Sequence, residues 1–213
     1  MVAAIALLGC GGRAAQAPSV ALPQFAALSD LKEVRLGMTV AELREIRPAV
    51  VSAPDVGARE VIAGDTVWYL FDRPVPRSRE ADDQLAQPAD ARVVGVASTR
   101  IVRTLAAGDS LARDWVSRLG EPSECFRLHY RDVANDVAAF REQGRVVYVT
   151  RRPPSTFTLD SSVISLAGGV QLLIAAPDTR AVPQAPRVER VDCALLFASV
   201  RDAAERRDDS TSN

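Results

Sequence analysis

The sequence predicts an α+β protein made of two tandem units, each a pair of helices followed by a meander of strands. Two observations lead there. A glycine precedes a helix signal twice, at Gly37 and Gly108, 71 residues apart, and each helix is followed by runs of β-branched and aromatic residues. Self-similarity at a fixed spacing is most simply read as tandem duplication. With 213 residues, 47% of them hydrophobic, the chain can close a core of this size. The expected boundaries are a truncated signal peptide over 1–9, a lipidated tether over 10–28, a first unit over 29–104, a second unit with extra strands over 105–204, and a disordered tail over 205–213.

Residues 1–9 are apolar but fewer than half of the about 20 residues that a spanning helix needs. The run closes in Leu7-Leu8-Gly9-Cys10, which resembles the lipobox of bacterial lipoproteins, whose cysteine is diacylated and becomes the mature N-terminus. No Lys or Arg precedes Cys10, and Leu8 is bulkier than the small residue usual at its position. The residues after Cys10 are small and Pro-containing, as suits a flexible tether. The alternative is an ordinary apolar strand followed by a turn. Once Cys10 is acylated, Cys125 and Cys193 remain as an even pair. In an oxidising periplasm they can form a disulfide, closing a loop of roughly 70 residues and contributing about 4 kcal/mol. The alternative is two buried thiols acting as small hydrophobes.

In the first unit, Ser29 or Asp30 can cap a short helical turn over 31–34. Thr39 and Glu42 then have capping-box spacing and open a helix over 40–47, with Val40, Leu43 and Ile46 on one face and Pro48 as its stop. Residues 66–71 read as a strand, buried on both faces or lining an aromatic edge, and 92–102 as another. Between them 73–91, with Pro74, Pro76 and Pro88 among many charges, read as a long exposed loop. In the second unit Gly108-Asp109-Ser110 stands where Gly37-Met38-Thr39 stood. It opens a helix over 111–119 with Leu111, Trp115 and Leu119 on one face and Gly120 as its C-cap. Both glycines are read as positions that need unusual dihedrals before a helix. Strands follow at 125–130, 137–141 and 146–150, then at 156–164 and 170–174. Residues 190–200 are apolar, and periodicity does not decide between helix and strand there.

Glu33-Val34-Arg35-Leu36-Gly37-Met38-Thr39, followed later by Trp68-Tyr69-Leu70-Phe71, resembles the BamE (SmpA/OmlA) family of small outer-membrane lipoproteins, with its Gly-Met-Thr helix start and aromatic strand. Leu119-Gly120-Glu121-Pro122 matches that family's Leu-Gly-x-Pro helix end. The tandem arrangement is similar to that of the β-lactamase inhibitory protein, a secreted pair of such units. The resemblance implies tandem helix-pair plus antiparallel-sheet units and a role in protein-protein contact, with outer-membrane protein assembly as the setting. The first copy departs from the pattern at Ile46-Arg47-Pro48 and the second at Gly108-Asp109-Ser110.

Charge excludes some functions. Lys and Arg number 26 against 27 for Asp and Glu, so a net charge of −1 supplies no field to draw nucleic acid. Catalytic signals are thin. His129 is the one histidine and reads as a strand-face residue, and no hydrolase, lactamase, metalloprotease or phosphate-loop motif occurs. Asp82-Asp83 and Asp208-Asp209 read as solvated charge, and no residue set points to a metal or cofactor. Trp68, Tyr69 and Phe71 are the candidates for partner binding, because aromatics dominate interface energetics. The expectation is a non-catalytic, lipid-anchored, periplasm-facing envelope protein, at the outer membrane, that works by contact with another envelope protein. The alternative is a secreted inhibitor or small-ligand binder.

Overall fold

The computed structural model describes residues 20–21, 31, 33–53, 57–73, 87–130, 133–142, 144–159, 162–177, 185 and 187–197. The expected signal peptide, Cys10, most of the tether, most of the 73–91 loop and the tail over 205–213 lie outside them.

A short ribbon comes first, β1 (Val20–Ala21) paired antiparallel with β2 (Arg35–Leu36). Gly37 then turns the chain with φ of 86°, a left-handed value that favours glycine. Helix α1 spans Val40–Ile46, and its start is the expected capping box. Thr39 Oγ1 accepts from the Glu42 amide at 3.2 Å, and the Glu42 carboxylate accepts from the Thr39 amide at 2.6 Å. Val40 and Leu43 are buried and Ile46 packs against the same core.

Four strands follow as an antiparallel meander: β3 (Val51–Ala53), β4 (Gly57–Ile62), β5 (Asp65–Phe71) and β6 (Val93–Val102). Helix α2 (Leu105–Leu119) leads to a second meander, β7 (Glu124–Tyr130), β8 (Val133–Glu142) and β9 (Arg145–Arg152). A hairpin of β10 (Ser155–Leu159) and β11 (Ser162–Leu166) comes next, then β12 (Gly168–Ala175) and β13 (Arg187–Arg190). Nine strands form one antiparallel sheet in the order β13-β7-β8-β9-β12-β6-β5-β4-β3.

This overturns the expectation of two tandem helix-pair plus antiparallel-sheet units. The fold is mostly β, with α1 and α2 as the α-helices among the described residues, and 29–104 and 105–204 contribute strands to one sheet. The physical reason is β12. Val170, Leu172 and Ile174 enter the core beneath the helices, while Leu173 and Ala175 enter a cluster on the opposite face. A strand apolar on both faces belongs in the middle of a sheet, and β12 pairs over its whole length with β6 and over nearly all of it with β9.

The helix-start match fails as well. Thr104 caps α2, its side chain accepting from the Ala107 amide at 3.2 Å, so Gly108-Asp109-Ser110 lies within the helix. Gly108 has helical backbone, and what it supplies is space: a Cβ there would stand 3.3 Å from Val102 Cγ2. The other end agrees with expectation, with Trp115 buried and Gly120 at the C-cap with φ of 92°. The strand expected over 156–164 is the β10–β11 hairpin. In the described part of 190–200, a 3-10 turn over Cys193–Leu195 stands in place of the helix or strand.

The two faces of the sheet are covered unequally. One packs Leu43 of α1 and Trp115 of α2 onto Tyr69, Val96, Val149 and Leu172. The other carries a cluster around Leu128, Tyr148 and Leu173, with half-buried Trp68, Leu70 and Phe126 against it. The apolar run in β5 is therefore a strand buried on both faces, Val67 and Tyr69 to one side, Trp68 and Leu70 to the other.

Candidate functional site

Strand β7 and the chain after β13 carry the covalent feature. Cys125 faces the helix-covered core, and Cys193 opens the 3-10 turn, which Asp192 caps by accepting from the Ala194 amide at 2.9 Å. Their Cα atoms are 5.2 Å apart and a disulfide joins them across 68 residues, as the cysteine count anticipates. The bond secures β13, four exposed residues whose single neighbour in the sheet is β7. The Val191 amide prolongs that ladder by donating to the Cys125 carbonyl at 3.1 Å.

Beside the bond lies a cavity of 320 Å³, lined chiefly by Val116, Pro122, Ala138, Leu196, Phe197 and the disulfide, with Arg113 in its wall. Arg113 Nη1 donates to the Phe197 carbonyl at 2.9 Å. Phe197 itself is buried with φ of 58°, a left-handed conformation that costs a bulky residue about 1–3 kcal/mol.

Two buried charge clusters sit on the helix-covered face. In the first, Glu60 of β4 accepts from Arg47 Nε at 2.9 Å and Nη2 at 2.7 Å, and also from the Tyr69 hydroxyl. Arg47 is the C-cap of α1, so this pair fixes the helix end to the sheet. Its guanidinium is held above its usual value chiefly by the hydrogen bond to Glu60. Burial, and then Glu60, push the Tyr69 phenol well up, so it remains a neutral donor.

In the second cluster, Asp136 of β8 accepts from Arg127 Nε at 2.6 Å and from Arg151 Nη2. Arg151 Nε lies 3.1 Å from Asp109 Oδ1, an ion pair without hydrogen-bond alignment. Asp109 thereby docks α2 onto β9. The Asp136 hydrogen bond is the main cause that raises the Arg127 guanidinium. Sequence reasoning did not single out these residues. The available signal was a charge at each end of an apolar run, Asp136 before 137–140 and Arg151 after 146–149.

The aromatic candidates do not form one patch. Trp68 is half-buried on the second face, Phe71 half-buried against the helix-side core, and Tyr69 fully buried at 0% exposure, with no area to offer a partner. His129 is on β7, as expected of a strand-face histidine, with Nε2 2.9 Å from Glu189 Oε2 on β13. That bond is the main cause holding the Glu189 carboxyl below its usual value. The pair braces the sheet edge. Asp82-Asp83 and Asp208-Asp209 lie outside the described residues.

Among the described residues no group of three His, Cys, Asp or Glu is placed to hold a metal ion, and no helix is long and apolar enough to cross a membrane. The chain matches no protein-family model, and no curated protein or solved structure was found similar to it.

Proposed function

We propose that this is an exported protein of the bacterial envelope, anchored through acyl chains on Cys10, that acts by contact with another envelope protein. The observation that carries the reading is the Cys125–Cys193 bond, because disulfides persist in oxidising compartments such as the periplasm. It leaves Cys10, in its lipobox-like context, as the remaining cysteine. The contact surface is the second face of the sheet, where half-buried Trp68, Leu70 and Phe126 lie together and Val61 and Ile101 stand exposed toward one end. Apolar area of this kind marks interaction sites.

A photo-crosslinking residue at Trp68, introduced in cells of the native host, tests the contact. A discrete adduct with an envelope protein, lost when the crosslinker is moved to exposed Arg118 of α2 on the other side of the sheet, supports it; adducts that are the same from both positions refute it. A second reading, a binder of small apolar ligands, is favoured by the 320 Å³ cavity at the disulfide. There a fluorescent apolar probe should bind the Cys10→Ser protein and be excluded by Ala138→Trp.

A further inference from the structure

The chain treats its strand edges unequally. On the nine-stranded sheet one edge is β13, Arg187-Val188-Glu189-Arg190, with three charges in four residues, and the other is β3, three residues long. Short and charged edge strands are how monomeric sheets keep foreign strands from adding. The β10–β11 hairpin has neither protection. It pairs in unbroken register from Ser155 opposite Leu166 to Leu159 opposite Ser162, and among the described residues neither strand has a second neighbour. Ser155-Thr156-Phe157-Thr158-Leu159 and Ser162-Val163-Ile164-Ser165-Leu166 contain no charge and no proline, in a chain that is 25% charged. Where their exposure is described, Thr156 and Ser165 are exposed and Leu166 is 46% exposed. Two strands alone are marginal in water, and three or more with an apolar face are needed for independent stability.

We infer that β10 is a dimerisation strand and that its partner is β10 of a second copy, antiparallel across a twofold axis at Phe157. Charge and register select this occupant. Self-pairing at Phe157 sets Phe157 opposite Phe157, Thr156 opposite Thr158 twice, and Ser155 opposite Leu159, with no like charges facing. Aromatic and Thr-Thr pairs are favourable across antiparallel strands. The product is a four-stranded sheet, β11-β10-β10-β11, in which the register positions of Phe157, Leu159, Ile164 and Leu166 from both copies share one face. A self-complementary patch closed by a twofold axis is also the commonest form of soluble assembly.

The inference does not depend on the membrane anchor, so the test uses the mature full chain carrying Cys10→Ser, without lipid or detergent. Sedimentation equilibrium at micromolar concentrations should give a dimer. Thr156→Lys/Thr158→Lys puts like charges across both symmetry-related pairs and should weaken association about tenfold or more. Thr156→Lys/Thr158→Glu puts opposite charges across the same pairs and should associate at least as tightly as the parent. That second variant burdens the hairpin equally, so it separates lost pairing from lost folding. A monomeric parent protein, or equal association of the two double variants, overturns the inference.

Discussion

In the β3–β6 half of the sheet, Glu60 is held by Arg47 at the end of α1 and by the neutral Tyr69 hydroxyl. In the β7–β9 half, Asp136 is shared by two guanidiniums, one of which reaches on to Asp109 of α2. Both arrangements bury a carboxylate under a helix, yet they fail differently. Glu60 keeps a neutral donor when Arg47 is lost, whereas in the second cluster every member is ionic, so losing Asp136 leaves two guanidiniums with the one carboxylate of Asp109. The second half also has a disulfide at its edge. It depends on long-range ties, and the first half on local ones.

The largest effect should follow from breaking the all-ionic cluster. Asp136→Ala leaves the buried Arg151 facing Asp109 alone, and should cost about 3–5 kcal/mol in urea unfolding. Replacing Cys125 and Cys193 together by Ser should cost about 2–4 kcal/mol. Amide exchange should then rise first at Glu189 and Val191, whose amides face β7 and which the bond secures. Glu60→Gln retains an acceptor for Tyr69 and should cost about 1–3 kcal/mol. Should it match Asp136→Ala, the contrast between the halves does not hold.

The smallest effect concerns α1. Thr39→Ala removes the hydroxyl half of the capping box and should cost about 1 kcal/mol. The box also has a pH signature. Hydrogen bonds from Thr39 hold the folded Glu42 carboxyl below the usual value of 4.5, so its stabilisation is complete above that pH and is lost as pH falls through the lower folded value. Acid titration of stability should therefore flatten in that window in Glu42→Gln, which has no carboxyl to titrate, and an unchanged profile would count against the box.

Features set by short-range chemistry were legible in the sequence. The Thr39/Glu42 box, the Trp115 face of α2 and the Gly120 C-cap each follow from residues a few positions apart. The cysteine pair was legible by count. The position of β12 was not, because its neighbours β6 and β9 are chosen by burial on both faces rather than by chain order. Tandem similarity misled as well: a Gly two residues before a hydroxyl side chain looks alike at 37–39 and at 108–110, while the cap that starts α2 is Thr104. Strand β13 carries no apolar signal, and it is held by pairing with β7, the His129–Glu189 contact and the disulfide. Tyr69 as a partner residue failed on alternation, since neighbours on a strand cannot both face outward. The buried charges were hidden because Asp136 and Arg151 look like strand ends until β7, β8 and β9 are laid side by side.

Metabolic labelling with palmitate in wild type and Cys10→Ser, followed by mass mapping without reductant, tests the envelope reading most directly. An exported lipoprotein incorporates label in wild type alone and yields Cys125 and Cys193 as a linked peptide pair. Absence of label from wild type, together with both cysteines open to alkylation, would contradict it.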